Sequence, residues 1–176
     1  ATAFCLSLFY VVHKPVFGVG DFYYLLIIVS FVALIFFDYL YLLLPDKIIL
    51  PLIVIAILFN YFFRRPEFTT LLLSALIMGG IFAIIHLVSN GEWVGLGDAK
   101  LIFATSLIVG FPYAIPGFFF AFWIGGAVGV LLILLRVKSS KSIIPFGPYI
   151  LAGALLVLIF KTFSPELFPF YSIFAL

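Results

Sequence analysis

Solid apolar runs broken by short polar or Gly/Pro-rich stretches set the pattern of this chain. The runs and their breakers predict seven segments, roughly residues 1–12, 22–44, 47–63, 68–89, 98–111, 115–135 and 143–163. The interruptions read HKPVFGVGD, LPDK, RRPE, SNGEWVGLGD, FPYAIP and RVKSSKS, the residue types that end helices and make turns. Crossing a hydrocarbon core about 30 Å thick takes about 20 helical residues. The first and fifth runs fall short of that. A closed membrane barrel would need alternation in strands of about ten residues, and these runs do not alternate. The expected fold is all-α: one domain over residues 1–176, a polytopic transmembrane helix bundle with about six to seven membrane segments.

Composition agrees. Apolar residues make up 66% of the chain, charged residues 9%, and the mean hydropathy is +1.40, against about 45–50% and about 25% in soluble domains. Lipid is therefore the expected surrounding. A net charge of +2 with no basic stripe excludes nucleic acid as a partner. Cys5 alone allows neither an intrachain disulfide nor a cysteine zinc cluster within these residues. His13 and His86 lie far apart without acidic neighbours, so no metal site is expected, and each is read as an interface or helix contact. The 24 Phe residues are read as packing bulk and lipid-facing surface.

If the seven segments alternate, one face carries Lys47, Lys100, Arg136, Lys138 and Lys141, and the other Lys14, Arg64, Arg65 and Lys161. The excess points to the first face as cytoplasmic, with the basic loop 136–141 as a topology anchor. The same alternation brings the acids of segments two and five to one side.

Seven acids invite explanation in so apolar a chain. Asp21, Glu67, Glu92 and Glu166 fall in loops or near helix ends, where solvated or capping acids are ordinary. Asp46 follows Pro45 and fits an N-cap. Asp38 differs: it stands inside an apolar run, seven residues before Pro45, roughly 10 Å along a helix from that turn. A charged Asp at the centre of a spanning helix costs about 2.5–3.5 kcal/mol on insertion scales, and such residues face a bundle interior or an aqueous cavity and mark function. The bland alternative is a packing contact with Tyr39, Tyr41 or a lysine. Asp98 opens the fifth run, where an N-cap is the simple reading, yet an N-cap does not require Gly95 and Gly97 before it. Glycines there allow φ > 0 and close backbone approach.

Two carboxylates at similar depth can face each other across a bundle. Close carboxylates do not easily both ionise, so they share a proton. One then activates water and the other protonates the carbonyl or the leaving amine, with no metal and no cofactor.

Residues 37–52 (FDYLYLLLPDKIILPL), 95–101 (GLGDAKL) and 144–150 (IPFGPYI) together resemble the ordered motifs of bacterial type IV prepilin peptidases, over nearly the whole chain. The resemblance implies a multi-pass aspartic endopeptidase of the Gly-x-Gly-Asp type in the bacterial inner membrane. It would remove basic leaders from prepilins and pseudopilins on the cytoplasmic side. It implies Asp38 and Asp98 as the catalytic pair, Lys100 as the motif lysine, and Pro45 and Asp46 as the Pro-Asp turn; the position of Lys100, close to Asp98, suits holding the loop or biasing the pair's ionisation. Pro145, Gly147 and Pro148 either kink and cap the last segment or shape a substrate groove.

Many bacterial members also carry paired Cys-x-x-Cys motifs and N-methylate the mature pilin with S-adenosylmethionine; nothing in this chain resembles that region. It opens ATAFCLSLFY, without Met or a charged n-region, a poor fit to a secretory signal. Shorter members that lack this region also exist; the expectation leans to a truncated or processed chain, with methylation left to a longer parent. Among rivals, a proton-coupled transporter using Asp38 and Asp98 as proton carriers would call for internal repeats, which are not seen. A structural assembly factor gives Asp38 no purpose. Presenilin-like proteases carry a late Pro-Ala-Leu motif that this sequence lacks.

Overall fold

The computed structural model describes residues 18–137 and 145–163, the side chains of 65–67 and 162–163 excepted. The expected first segment and most of the basic loop 136–141 lie outside the described residues. Among the described residues six helices follow one another: α1 (Val19–Tyr41), α2 (Asp46–Phe63), α3 (Arg65–Val88), α4 (Leu96–Val109), α5 (Ala114–Leu134) and α6 (Gly147–Phe163). They are the second to seventh expected segments, each displaced by a few residues. No strand occurs among the described residues.

The start of α1 is capped by its own acid: Asp21 Oδ2 accepts the Gly18 N–H at 2.9 Å. Its end comes earlier than residue 44. Leu42 turns left-handed at φ 52° and donates its N–H to the Asp38 carbonyl at 2.9 Å, and Pro45 disfavours helical backbone at the residue before it. Asp38 therefore stands in the last turn of α1, closer to the helix end than the expected two turns.

Among the described residues, four stretches are long and apolar enough to cross a membrane: Val19–Tyr41, Asp46–Phe63, Phe68–Val88 and Ala114–Leu134; the Gly147–Lys161 stretch of α6 is shorter. The fifth segment was expected to be short, and α4 has 14 residues, about 21 Å of helix. Its position explains why that suffices. It packs against α3, α2, α6 and α5, and Leu101, Ile102 and every residue from Ala104 to Val109 are buried. A helix sheathed by other helices need not match the bilayer thickness, but its last carbonyls still need donors. Asn60 Nδ2 donates to the Leu107 carbonyl at 3.0 Å, Lys161 Nζ donates to the Val109 carbonyl at 3.4 Å, and the Gly110 N–H returns to Ser106 at 2.8 Å.

Between lipid-embedded helices, attraction comes from close packing more than from water exclusion. Small residues provide it at the α5–α6 contact. A side chain at Gly153 would overlap the Gly117 carbonyl oxygen and come within 2.9 Å of the Ala121 nitrogen. Packing also joins α6 to α1 and to α4, so α6 links the two helices that carry Asp38 and Asp98.

Candidate active site

The buried side chains of α1 are Tyr23, Ile27, Phe31, Leu34 and Asp38. Steps of four, four, three and four residues make one stripe on a helix. Asp38 is thus the polar end of a core-facing stripe, and it points into the bundle. Its Oδ2 accepts the backbone N–H of Gly147 at 2.9 Å. No tyrosine or lysine bonds to it among the described residues; the partner is backbone.

Asp98 sits half-buried in the first turn of α4, whose N-cap is Gly95. It is not the N-cap itself; from the third helical position its carboxylate reaches back towards the Gly95 backbone N–H. The glycines before it serve contact rather than left-handed backbone. Neither Gly95 nor Gly97 has positive φ. A Cβ at Gly95 would lie 3.3 Å from Asp98 Oδ2, and one at Gly97 only 3.1 Å from the Leu44 Cβ. The expectation of φ > 0 here is corrected to one of close approach.

Asp46 also needs correction. It opens α2, but the N-cap is Pro45 and no side chain caps this helix. Its carboxylate instead takes both hydrogen bonds from Lys100 Nζ, at 2.7 and 2.8 Å. An acid in the first turn is favourable without capping, because it meets the positive end of the helix dipole. The pair ties α4, two residues past Asp98, to the turn that follows Asp38. Both members are partly exposed, and such pairs contribute at most about 1 kcal/mol. Its value is in placement.

Asp38, Pro45, Asp46, Gly95, Gly97, Asp98 and Lys100 all line one open cavity of about 640 Å³, together with Leu42–Leu44, Lys47 and Leu96. The two aspartates, expected on one side, are brought together here, near enough for the charge of Asp38 to act on Asp98. Pro145, Gly147 and Pro148 do not belong to this lining. Gly147 and Pro148 form the first turn of α6, where the N–H that proline lacks would have no intrahelical partner. No group of three or more His, Cys, Asp or Glu suited to a metal occurs among the described residues.

Sequence reasoning passed over three supports. The Gly147 N–H on Asp38 is a backbone contact spanning 109 residues and leaves no local signal. His86 Nδ1 lies 2.8 Å from the Val94 carbonyl and holds the loop that leads to Gly95; its reading as a contact residue holds, without its target. Asn60, in an otherwise apolar run, was the one visible clue to the far end of α4.

An all-helical membrane bundle with a carboxylate-lined cavity at the ends of its helices is the class that fold and site define. The chain belongs to the type IV leader peptidase family, whose model matches residues 25–130. It is 31% identical over 137 residues to a prepilin leader peptidase/N-methyltransferase of Aeromonas hydrophila, covering 76% of this chain and 47% of that protein. To the prepilin leader peptidase/N-methyltransferase of Pseudomonas aeruginosa it is 30% identical over 112 residues, 61% of this chain and 39% of that protein. Leader peptidase HopD of Escherichia coli is 31% identical over 121 residues, 65% of this chain and 77% of that protein. The chain thus spans less than half the length of the first two relatives. No solved structure matches it.

Proposed function

We propose that this chain is a membrane aspartic endopeptidase that cuts the basic leader from type IV prepilins and pseudopilins, with Asp38 and Asp98 as its catalytic pair. The observation that carries the reading is the convergence of these two carboxylates on one cavity at the ends of α1 and α4. Family membership supplies the substrate class, since relatives are named prepilin leader peptidases.

The chemistry needs only the pair and water. One carboxylate, ionised, takes a proton from water as its oxygen bonds to the scissile carbonyl carbon. The other, protonated, gives its proton to the carbonyl oxygen. The tetrahedral intermediate then collapses: the C–N bond breaks, the amine leaves with a proton, and the pair again holds one proton between its members. Such a pair titrates as a unit. Lys100 is held by Asp46, which fits a role in fixing the loop more than in neutralising the pair.

The cut falls where lipid meets water, on the bacterial inner membrane's cytoplasmic face. The hydrophobic stem of the substrate lies against the bundle while its leader stays in solution. Proteolysis in this scheme uses no metal or organic cofactor. N-methylation with S-adenosylmethionine is assigned only to a longer parent, and the described residues are given no part in it.

The test is cleavage of a prepilin by the detergent-purified chain beside Asp38→Asn and Asp98→Asn. Each folded variant should lose roughly 10³-fold or more of the rate. Cleavage surviving either substitution would falsify the two-aspartate mechanism.

A further inference from the structure

Asp38 occupies an awkward place. It lies in the last turn of α1, where the free carbonyls of a helix end repel a carboxylate. Across the cavity stand Asp98 of α4, Asp46 of α2 paired with Lys100, and Lys47. The group that meets Asp38 directly is the Gly147 N–H at 2.9 Å, the first N–H of α6, at the end of a helix that favours negative charge.

This contact leaves no room for a side chain. A Cβ at residue 147 would lie 2.5 Å from Asp38 Oδ2, 3.1 Å from its Cγ and 3.3 Å from Leu44 Cδ2. The same Leu44 side chain lies 3.1 Å from where a Cβ on Gly97 would stand. One leucine is thus wedged between two glycines, each beside one of the two aspartates in space or sequence. Three separate stretches of chain meet there with no slack.

We propose that Gly147 is a positioning residue for the cleavage reaction: its N–H fixes one oxygen of Asp38, and its missing side chain lets α6 come close enough to do so. The role rests on the assignment of Asp38 and Asp98 as the catalytic pair. With Oδ2 anchored, the carboxylate rotates little, and Oδ1 keeps one orientation. Gly147 acts through Asp38 and does not itself line the cavity, so the expected effect is on turnover more than on substrate binding.

Two measurements test this. Gly147→Ala should lower kcat for prepilin cleavage by about 10²-fold, the effect of displacing a catalytic group by about 1 Å, with KM changed by less than about threefold. Gly126→Ala, on α5 where nothing lies within 4 Å of an added Cβ, should cleave like the parent. The second measurement needs no change at Gly147. Phe-Gly occurs at 17–18 and 146–147 and nowhere else, so carbon-13 carbonyl Phe with nitrogen-15 Gly isolates two amide resonances. Both amides donate to carboxylates, Gly18 to Asp21 and Gly147 to Asp38. Asp38→Asn should move one resonance and spare the other, and Asp21→Asn should do the reverse.

Parent-level kcat in folded Gly147→Ala, or two resonances unmoved by Asp38→Asn, would overturn the role while leaving the peptidase reading in place. A folded parent that cleaves no prepilin overturns the peptidase reading and this role with it. If Gly147→Ala fails to fold, the amide resonances decide.

Discussion

Two helices each end their buried stripe on a polar residue, at opposite ends of the bundle. In α1 the stripe finishes on Asp38, and in α2 it runs Ile49, Leu52, Ala56 and finishes on Asn60. Both residues bond to the backbone of another helix. Asp38 receives an N–H from the start of α6, and Asn60 gives one to a carbonyl near the end of α4. The surroundings then diverge. Around Asn60 the charged groups pair locally: Arg64 donates to the Tyr24 hydroxyl, and Lys161 reaches Val109 and lies over the Tyr113 ring at 5.1 Å, while Asn60 Oδ1 and the Tyr23 hydroxyl are buried without a hydrogen-bond partner among the described residues. Around Asp38 the polar groups open onto a cavity shared with a second acid. Burial of an uncharged polar side chain between helices is therefore no mark of chemistry by itself. An open cavity and a second titratable partner are what set the surroundings of Asp38 apart from those of Asn60.

The largest expected effect would break the comparison if it failed. Asp38→Asn or Asp98→Asn should remove roughly 10³-fold of the cleavage rate, about 4 kcal/mol of transition-state stabilisation, while thermal unfolding in detergent stays near the parent's. Asn60→Ala should invert that result. It strands the Leu107 carbonyl and should cost about 1–3 kcal/mol of stability, read from the same melts, with kcat unchanged in the folded fraction. A variant at Asn60 that folds normally yet cannot cleave would erase the distinction between the two ends.

Smaller effects sharpen it. Lys100→Met should lower stability by less than about 1 kcal/mol, and Lys100→Met with Asp46→Asn should be no worse than either alone, shown by a double-mutant cycle of melting temperatures. Gly126→Ala should be neutral or stabilise by up to about 1 kcal/mol through helix propensity. It sits in α5 away from both ends, and a loss of activity there would mean that the site extends further than the cavity.

The helices and the sidedness of the two aspartates were legible because both rest on local patterns. Unbroken apolar runs between Gly/Pro-rich breaks mark the helices, and alternation then puts Asp38 and Asp98 at one end. Asp46 was misread for the same reason. A Pro-Asp step looks like a cap, and nothing local reveals a lysine 54 residues away as its partner. Gly147 was read as a kink or part of a groove because a hydrogen bond from backbone has no residue-type signature. The shortness of α4 was visible, but its cause, enclosure by four other helices, is a property of the assembled bundle. Local chemistry announces the candidate residues, and tertiary packing supplies what holds them.

The bond from Gly147 to Asp38 joins residues 109 positions apart, and a chain is made and inserted from its N-terminal end. During biogenesis α1 enters the bilayer with an acid whose partner has not yet been synthesised. The ribosome must add four more helices before the one that completes the site. A partly made chain therefore holds Asp38 without its backbone donor, and the candidate site stays incomplete until α6 has docked.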